Sequence, residues 1–279
     1  MRTHGILDPQ AFDDRLVLER HPPAPALASF IDRHWIVRWD LRGVAPRESS
    51  TLPYPCVNLV IGTHRPNVHG PSANRFVAEI QDRGWVLGTK FKPAGFRALA
   101  DRPMVEMVDA DVPIPTMFGE PGAALERELL AIGAAAPGGP PPSLIALDLA
   151  AQLAKLTAFF AARVPAMDPE AATVDQIVAL VESDRTITRV AELATRAKLP
   201  LRTLERMFRR HVGLSPKWVI RRFRVHEAAA RVAAGEVIEW TMLAHELGYF
   251  DQAHFIREFK AQVGRTPSQH AALVMHRDR

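Results

Sequence analysis

One cysteine, Cys56, stands among 279 residues. Its isolation excludes a disulfide framework and any zinc site built from several thiolates. It also fits a reducing, intracellular compartment. No long apolar run is present. The longest candidate, Leu144 to Val164, is interrupted by Asp148, Gln152, Lys155 and Arg163 and reads as amphipathic rather than membrane-spanning. Met1 to Gln10 lacks the apolar core of a secretory leader. The chain also lacks Gly-x-Gly-x-x-Gly, a P-loop, Gly-x-Ser-x-Gly and His-Glu-x-x-His. These absences predict a cytoplasmic protein that is not an enzyme, carries no cofactor and binds no membrane.

Acidic residues are scarce in one segment. Residues 185–231 hold 13 cations against Glu192, Glu205 and Glu227, a net +10, although the whole chain is only +4. Residues 1–172 sum to −2 and residues 232–279 to −1. A solvated surface would explain a charge run by itself. A +10 segment that also holds a helix-turn-helix pattern points to duplex phosphates as the counter-charge.

That pattern occurs twice. At an offset of 51, Leu204 matches Phe255, Arg206 matches Arg257, Phe208 matches Phe259 and Arg209 matches Lys260. Val212-Gly213 matches Val263-Gly264, and Ser215-Pro216 matches Thr266-Pro267. Apolar anchors, cations, a Gly stop and a capped Pro start describe one helical unit in two copies. In the short helices before each repeat, Ala191 is paired with Ala244, which makes the turn of the second unit two residues shorter.

The composition is that of a soluble globular protein, 47% apolar and 24% charged, long enough for two domains. The fold class expected is α+β. Residues 1–164 form a β-rich, cupin-like or barrel-like domain with helices, residues 165–172 a linker, and residues 173–279 an all-helical domain. Strands are predicted at Arg33–Trp39, Cys56–Ile61, Arg75–Ile80 and Trp85–Phe91. Helices are predicted over Ala123–Ile132 and, after a Pro/Gly-rich break at residues 136–142, from Ser143 as cap. In the helical domain Thr173, Thr188 and Thr241 are read as caps. Val190, Ala191 and Leu193 are inward candidates, and the two helix-turn-helix units span about 188–212 and 241–263. A long helix from Pro216 to Ala234 joins them and spans roughly 28 Å, at about 1.5 Å per residue. With its turns it could hold two readers near the ~34 Å repeat of B-DNA.

The second helix of such a unit enters the major groove. Leu204, Met207, Phe208 and Val212 would lock it in the first unit, and Phe255, Ile256 (or Phe259) and Val263 in the second. Arg202, Thr203, Glu205, Arg206 and Arg209 then face outward in the first helix. Gln252, Ala253, His254, Arg257 and Lys260 do so in the second. Arg can bond guanine O6 and N7 together, Gln adenine, and Glu cytosine N4. Trp218 and Trp240 are assigned to packing at the ends of the connecting helix.

The run from Ala244 to Lys260, closing on Gly264-Arg265-Thr266-Pro267, closely resembles the AraC/XylS family of bacterial transcription regulators. The resemblance covers about residues 173–275, both units included. It implies sequence-specific binding to double-stranded promoter DNA and activation through RNA polymerase. By position it assigns base reading to Arg202, Glu205 and Arg206, and to Gln252, His254 and Arg257. Ala253 departs from the serine common there. Because residues 232–279 are net acidic, the first unit is expected to supply most of the electrostatic affinity.

In that family a preceding domain commonly senses a small molecule or dimerises the protein. Gly88-Thr89-Lys90-Phe91-Lys92-Pro93-Ala94-Gly95-Phe96-Arg97 resembles, more loosely, a sensor-type domain attached to such readers. An effector pocket of Trp35, Trp39, Tyr54, Asn58, Trp85 and Phe91 would suit an apolar or aromatic ligand. The same aromatics also serve as the core of a β-domain. His34, His64 and His69 lack the thiols or paired acids of a metal site, and none is expected. The helix at 143–163 offers a homodimer seam or packs on its own domain. Two other readings stay open. One is a ligand-independent regulator whose first domain only dimerises. The other is an enzyme or repair protein with a DNA-targeting domain.

Overall fold

The computed structural model describes residues 5–7, 12–63, 66–134, 148–166, 168–236 and 238–276. Alternating buried and exposed residues in the first part build eight strands. They are β1 (Leu16–His21), β2 (Ile31–Asp40), β3 (Arg47–Thr51), β4 (Asn58–Gly62), β5 (Asn67–His69), β6 (Phe76–Ile80), β7 (Arg83–Phe91) and β8 (Asp111–Pro113). Six form an antiparallel sheet in the order β1-β2-β7-β4-β5-β8, and β3 pairs with β6. The four expected strands are β2, β4, β6 and β7; the four shorter or more polar ones escaped the pattern.

Two helices cover the sheet. The first, α1 (Ile114–Ala134), is broken at Gly119, where φ is +65°. The second, α2 (Leu149–Ala161), starts on Asp148, whose carboxylate accepts from the Ala151 amide. The expected cap Ser143 and the Pro/Gly break lie outside the described residues. Leu156, Phe159 and Phe160 of α2 pack into the core beside Trp85, Phe91 and Phe96. This helix therefore spends its apolar face on its own β-domain.

Seven further helices follow: α3 (Pro169–Ser183), α4 (Val190–Arg196), α5 (Leu201–His211), α6 (Pro216–Ala233), α7 (Trp240–Glu246), α8 (Gln252–Val263) and α9 (Pro267–His276). Three caps differ from expectation, each because a carboxylate takes over. Asp168 starts α3 with Pro169 at the first position, so the helix begins inside the stretch read as linker. Thr173 instead bonds the Pro169 carbonyl. The Glu192 carboxylate accepts from the Thr188 and Arg189 amides at α4. Glu239 accepts from the Thr241 and Met242 amides at α7. The Gly213, Gly248 and Gly264 stops all have positive φ.

The two units align differently from the sequence pairing. Leu193-Ala194 and Leu243-Ala244 are the buried pairs, while Ala191 is exposed. The Leu199 amide donates to the Ala194 carbonyl at 3.0 Å, and Tyr249 donates to Ala244 at 2.9 Å. The left-handed turn residue is Lys198 in the first unit and Gly248 in the second, with φ of +55° and +79°. First helices and turns thus correspond at an offset of 50, and the reading helices at 51. The second unit is one residue longer, not two shorter, and the extra residue lies just before α8.

Helix α6 joins the readers to each other and to the β-domain. Two of its arginines are buried. Arg222 donates to the Ala73 carbonyl at 2.5 Å and lies over the Trp218 ring. Arg224 donates to the Val181 carbonyl at 2.6 Å and to Asp184 at 3.2 Å, satisfying the end of α3. Leu7 and Leu52 pack with Val225, Phe255 and Phe259. Gly213 rests on Met104: a Cβ there would meet the Met104 carbonyl oxygen at 2.3 Å.

Candidate nucleic-acid interface and interdomain cleft

Helix α5 buries Leu204, Met207, Phe208 and His211 and leaves Arg202, Glu205, Arg206 and Arg209 exposed, with Thr203 half-buried. Helix α8 buries Phe255, Phe259 and Val263, so Phe259 rather than Ile256 completes its inner face. Ala253, Arg257 and Lys260 are exposed there. Gln252 and His254 are half-buried. The Gln252 side-chain oxygen accepts from the Thr241 hydroxyl at 3.0 Å. His254 packs edge-on against Tyr249 and lines the seam between the units with Arg189, Lys217 and Arg221. It faces this seam rather than pointing straight outward.

The cation-rich segment is less free than its charge implies. Arg222 and Arg224 are sealed in the fold. Arg185 and Arg231 pair with Glu227, Arg196 with Asp184, and Arg221 with Glu258. Glu170 of α3 gathers three more groups from α5. It lies 3.2 Å from Arg206, 3.6 Å from Arg210 and 3.0 Å from the His211 ring. Burial acts to raise the Glu170 carboxyl, but the His211 hydrogen bond and the Arg206 charge outweigh it and hold it below its usual value. Among the described residues, Arg202, Arg209 and Lys217 are the exposed cations of α5 and the start of α6 with no acidic partner. Nothing in a charge count signals Glu170, which lies 36 residues before Arg206.

The expected aromatic pocket does not form as one cavity. Trp39 is sealed beside Leu16 and Ile80, and Trp85 in the main core beside α1. Each is consumed by packing, because the sheet has separate apolar clusters for them. Trp35 lies over Gly88 and reaches Asn58 at 3.4 Å. Tyr54 and Phe91 do border a cleft of about 450 Å³, but between the β-domain and the helices. Its other walls include Asp32, Arg33, Lys90 and Lys92 on one side and Asp175, Glu182 and Phe223 on the other. The cleft therefore carries groups of both signs of charge around a lining that is still largely apolar. The Tyr54 hydroxyl donates to Glu182 at 3.0 Å, and Lys90 lies 3.9 Å above the Tyr54 ring and 3.0 Å from Asp32. Burial pushes the Cys56 thiol up to about 11.

Asp175 is the most perturbed acid in the cleft. One oxygen accepts from the Ala94 amide at 2.8 Å, and the other is buried without a protein partner. Burial raises its pKa to about 6, against the pull of the Ala94 amide and Lys92. A carboxyl raised above its unfolded value of 3.8 binds its proton more readily when folded. It therefore favours folding below about pH 3.8 and loses that contribution as pH rises through 6. Asp175→Asn should raise Tm at pH 8 and leave it nearly unchanged at pH 4, as thermal melts across that range would show. His34 and His270 act oppositely: burial lowers both to about 4, so their contribution is lost as pH falls from 6.5.

The histidines considered for a metal are apart. His34 is buried against the Thr89 hydroxyl, and His69 has an acid partner after all, Asp111 at 2.6 Å. His64 lies outside the described residues. Among the described residues no cluster of three His, Cys, Asp or Glu could hold a metal, and no helix is long and apolar enough to cross a membrane.

Known proteins resemble the two parts separately. Residues 193–272 match the model of a helix-turn-helix domain, and residues 19–113 that of a domain of unknown function (DUF6597). Over 75 residues the chain is 36% identical to the HTH-type transcriptional activator RhaS of Pectobacterium carotovorum, covering 27% of this chain and 26% of that protein. Over 93 residues it is 31% identical to an uncharacterized HTH-type transcriptional regulator of Haemophilus influenzae, covering 33% and 30%. The matches thus span about a quarter to a third of these relatives' length. The solved structure of ToxT from Vibrio cholerae aligns over 92% of this chain and 97% of that one, at 13% identity and a TM-score of 0.38. Residues 193–272 thus form an AraC-type helix-turn-helix domain, which follows a domain of unknown function.

Proposed function

We propose that this protein is a one-component transcription regulator that reads two successive major grooves of promoter DNA, and not an enzyme. One observation carries the reading: two helix-turn-helix units, each with its apolar face buried and an exposed cationic face, sit at the two ends of α6. At about 1.5 Å per residue α6 is roughly 27 Å long, which with its turns approaches one ~34 Å repeat of B-DNA. Arg202, Thr203, Glu205, Arg206 and Arg209 act in one groove, and Gln252, His254, Arg257 and Lys260 in the next. The division of labour follows from residues 1–164 as the sensing part and the residues from 169 on as the reader. The regulator works in the bacterial cytoplasm, activates by contact with RNA polymerase and responds to a small molecule.

The effector belongs in the charged cleft, since that cleft is shared by both domains and includes Phe223 of α6. A ligand there would carry both a donor for Asp175 and an anionic group for Lys92. The face of α2 that could have served a dimer is occupied, so the reading requires no dimer. Salt titration of duplex binding tests it. Phosphate neutralisation predicts a linear fall of log K with log salt, about 0.9 per contact. Binding that ignores salt would contradict the assignment.

A further inference from the structure

The one-residue difference between the units places a large side chain at the start of the second reading helix. In the first unit Leu199 packs inward, Pro200 caps α5 and Leu201 begins it. In the second, Tyr249 takes the place of Leu199 and is buried against Phe255. Phe250 comes next, and only then Asp251 caps α8 by accepting from the His254 amide. Phe250 is 86% exposed, the most exposed of the large apolar residues described. The inner face of the unit is complete without it, because Tyr249, Phe255 and Phe259 are all buried.

We propose that Phe250 is a specificity-determining residue that packs on the 5-methyl group of a thymine in the major groove entered by α8. The proposal rests on the DNA-reading function above and deepens it. The N-terminal end of a reading helix is where base edges are met, and Phe is among the side chains that recognise the thymine methyl. The exposed face next to it carries Ala253, Arg257 and Lys260, so apolar and cationic groups adjoin as a groove requires. A protein partner is a poorer fit. A stable interface needs about 800 Å² from each side, whereas a single exposed ring suits a single methyl.

Deoxyuridine, which lacks only that methyl, is the probe. A duplex selected by the full-length protein is remade with each thymine replaced in turn by deoxyuridine. One position under α8 should weaken wild-type binding about fourfold, the worth of one buried methyl-sized group. Phe250→Ala should bind the thymine duplex about that much more weakly or worse, and should lose all discrimination at that position. The variant leaves the Asp251 cap and the buried face intact, and helical circular dichroism verifies its fold. Equal uridine sensitivity in both proteins, or no thymine under α8, overturns the proposal. Unchanged DNA affinity with lost transcription would place a protein on Phe250 and overturn it too. Failure to select any duplex would instead strike the DNA-reading function itself.

Discussion

Arg206→Ala is expected to weaken operator binding by about 1–3 kcal/mol, the worth of a bidentate contact to guanine. Arg257→Ala should cost clearly less. Arg206 lies on the more cationic unit, beside the unpartnered Arg202 and Arg209, whereas residues 232–279 are net acidic. Glu170 sharpens the test. Its carboxylate holds Arg206 and Arg210 within ion-pair distance, and duplex phosphates compete for the same guanidinium groups. Glu170→Gln should therefore tighten binding in wild type and do much less once Arg206 is alanine. Surface pairs of this kind are weak, so the Glu170 effect should stay below about 1 kcal/mol. Titrating wild type, the three single variants and the Arg206→Ala/Glu170→Gln double variant with one labelled duplex at fixed salt measures these differences. Equal losses from Arg206→Ala and Arg257→Ala would remove the unequal roles of the units.

Phe259→Ala should have the largest effect on stability, about 3–5 kcal/mol. The ring is fully buried, 5.7 Å from Phe255 and 5.9 Å from His270 between centroids. It joins α8 to α9 and to Val225 of α6, and Leu7 and Leu52 of the β-domain close the same cluster. Thermal and urea melts should show a lowered transition and, because both domains share the cluster, loss of DNA binding at temperatures the native protein tolerates. A change below about 1 kcal/mol would mean that the second unit is not anchored on this core.

Much of this arrangement was legible in the residues. The paired Gly stops, the Ser215-Pro216 start and the buried Phe208 and Phe259 each follow from local physics and placed both reading helices. Most of what local physics hid was long-range. One miss was local: carboxylates, not threonine hydroxyls, bond the first amides of two helices, Glu192 those of Thr188 and Arg189 and Glu239 those of Thr241 and Met242. Lys198 occupies a left-handed turn that glycine fills at residue 248, and this obscured the true pairing of the short helices. Arg222 and Arg224 counted as surface charge until α6 was seen to bury them against carbonyls from distant segments. The cleft was illegible for the same reason: its walls come largely from β2, β7, α3 and α6, and of the aromatics that pattern singled out Tyr54 and Phe91 border it while Trp39 and Trp85 are spent in the core.

The most direct measurement is selection of random duplex DNA by the full-length protein, read at two salt concentrations. The account predicts a motif of two blocks with centres about 10–10.5 base pairs apart, retained at both salts while affinity falls. A single block, or salt-sensitive binding with no motif, would contradict the claim that both units read bases.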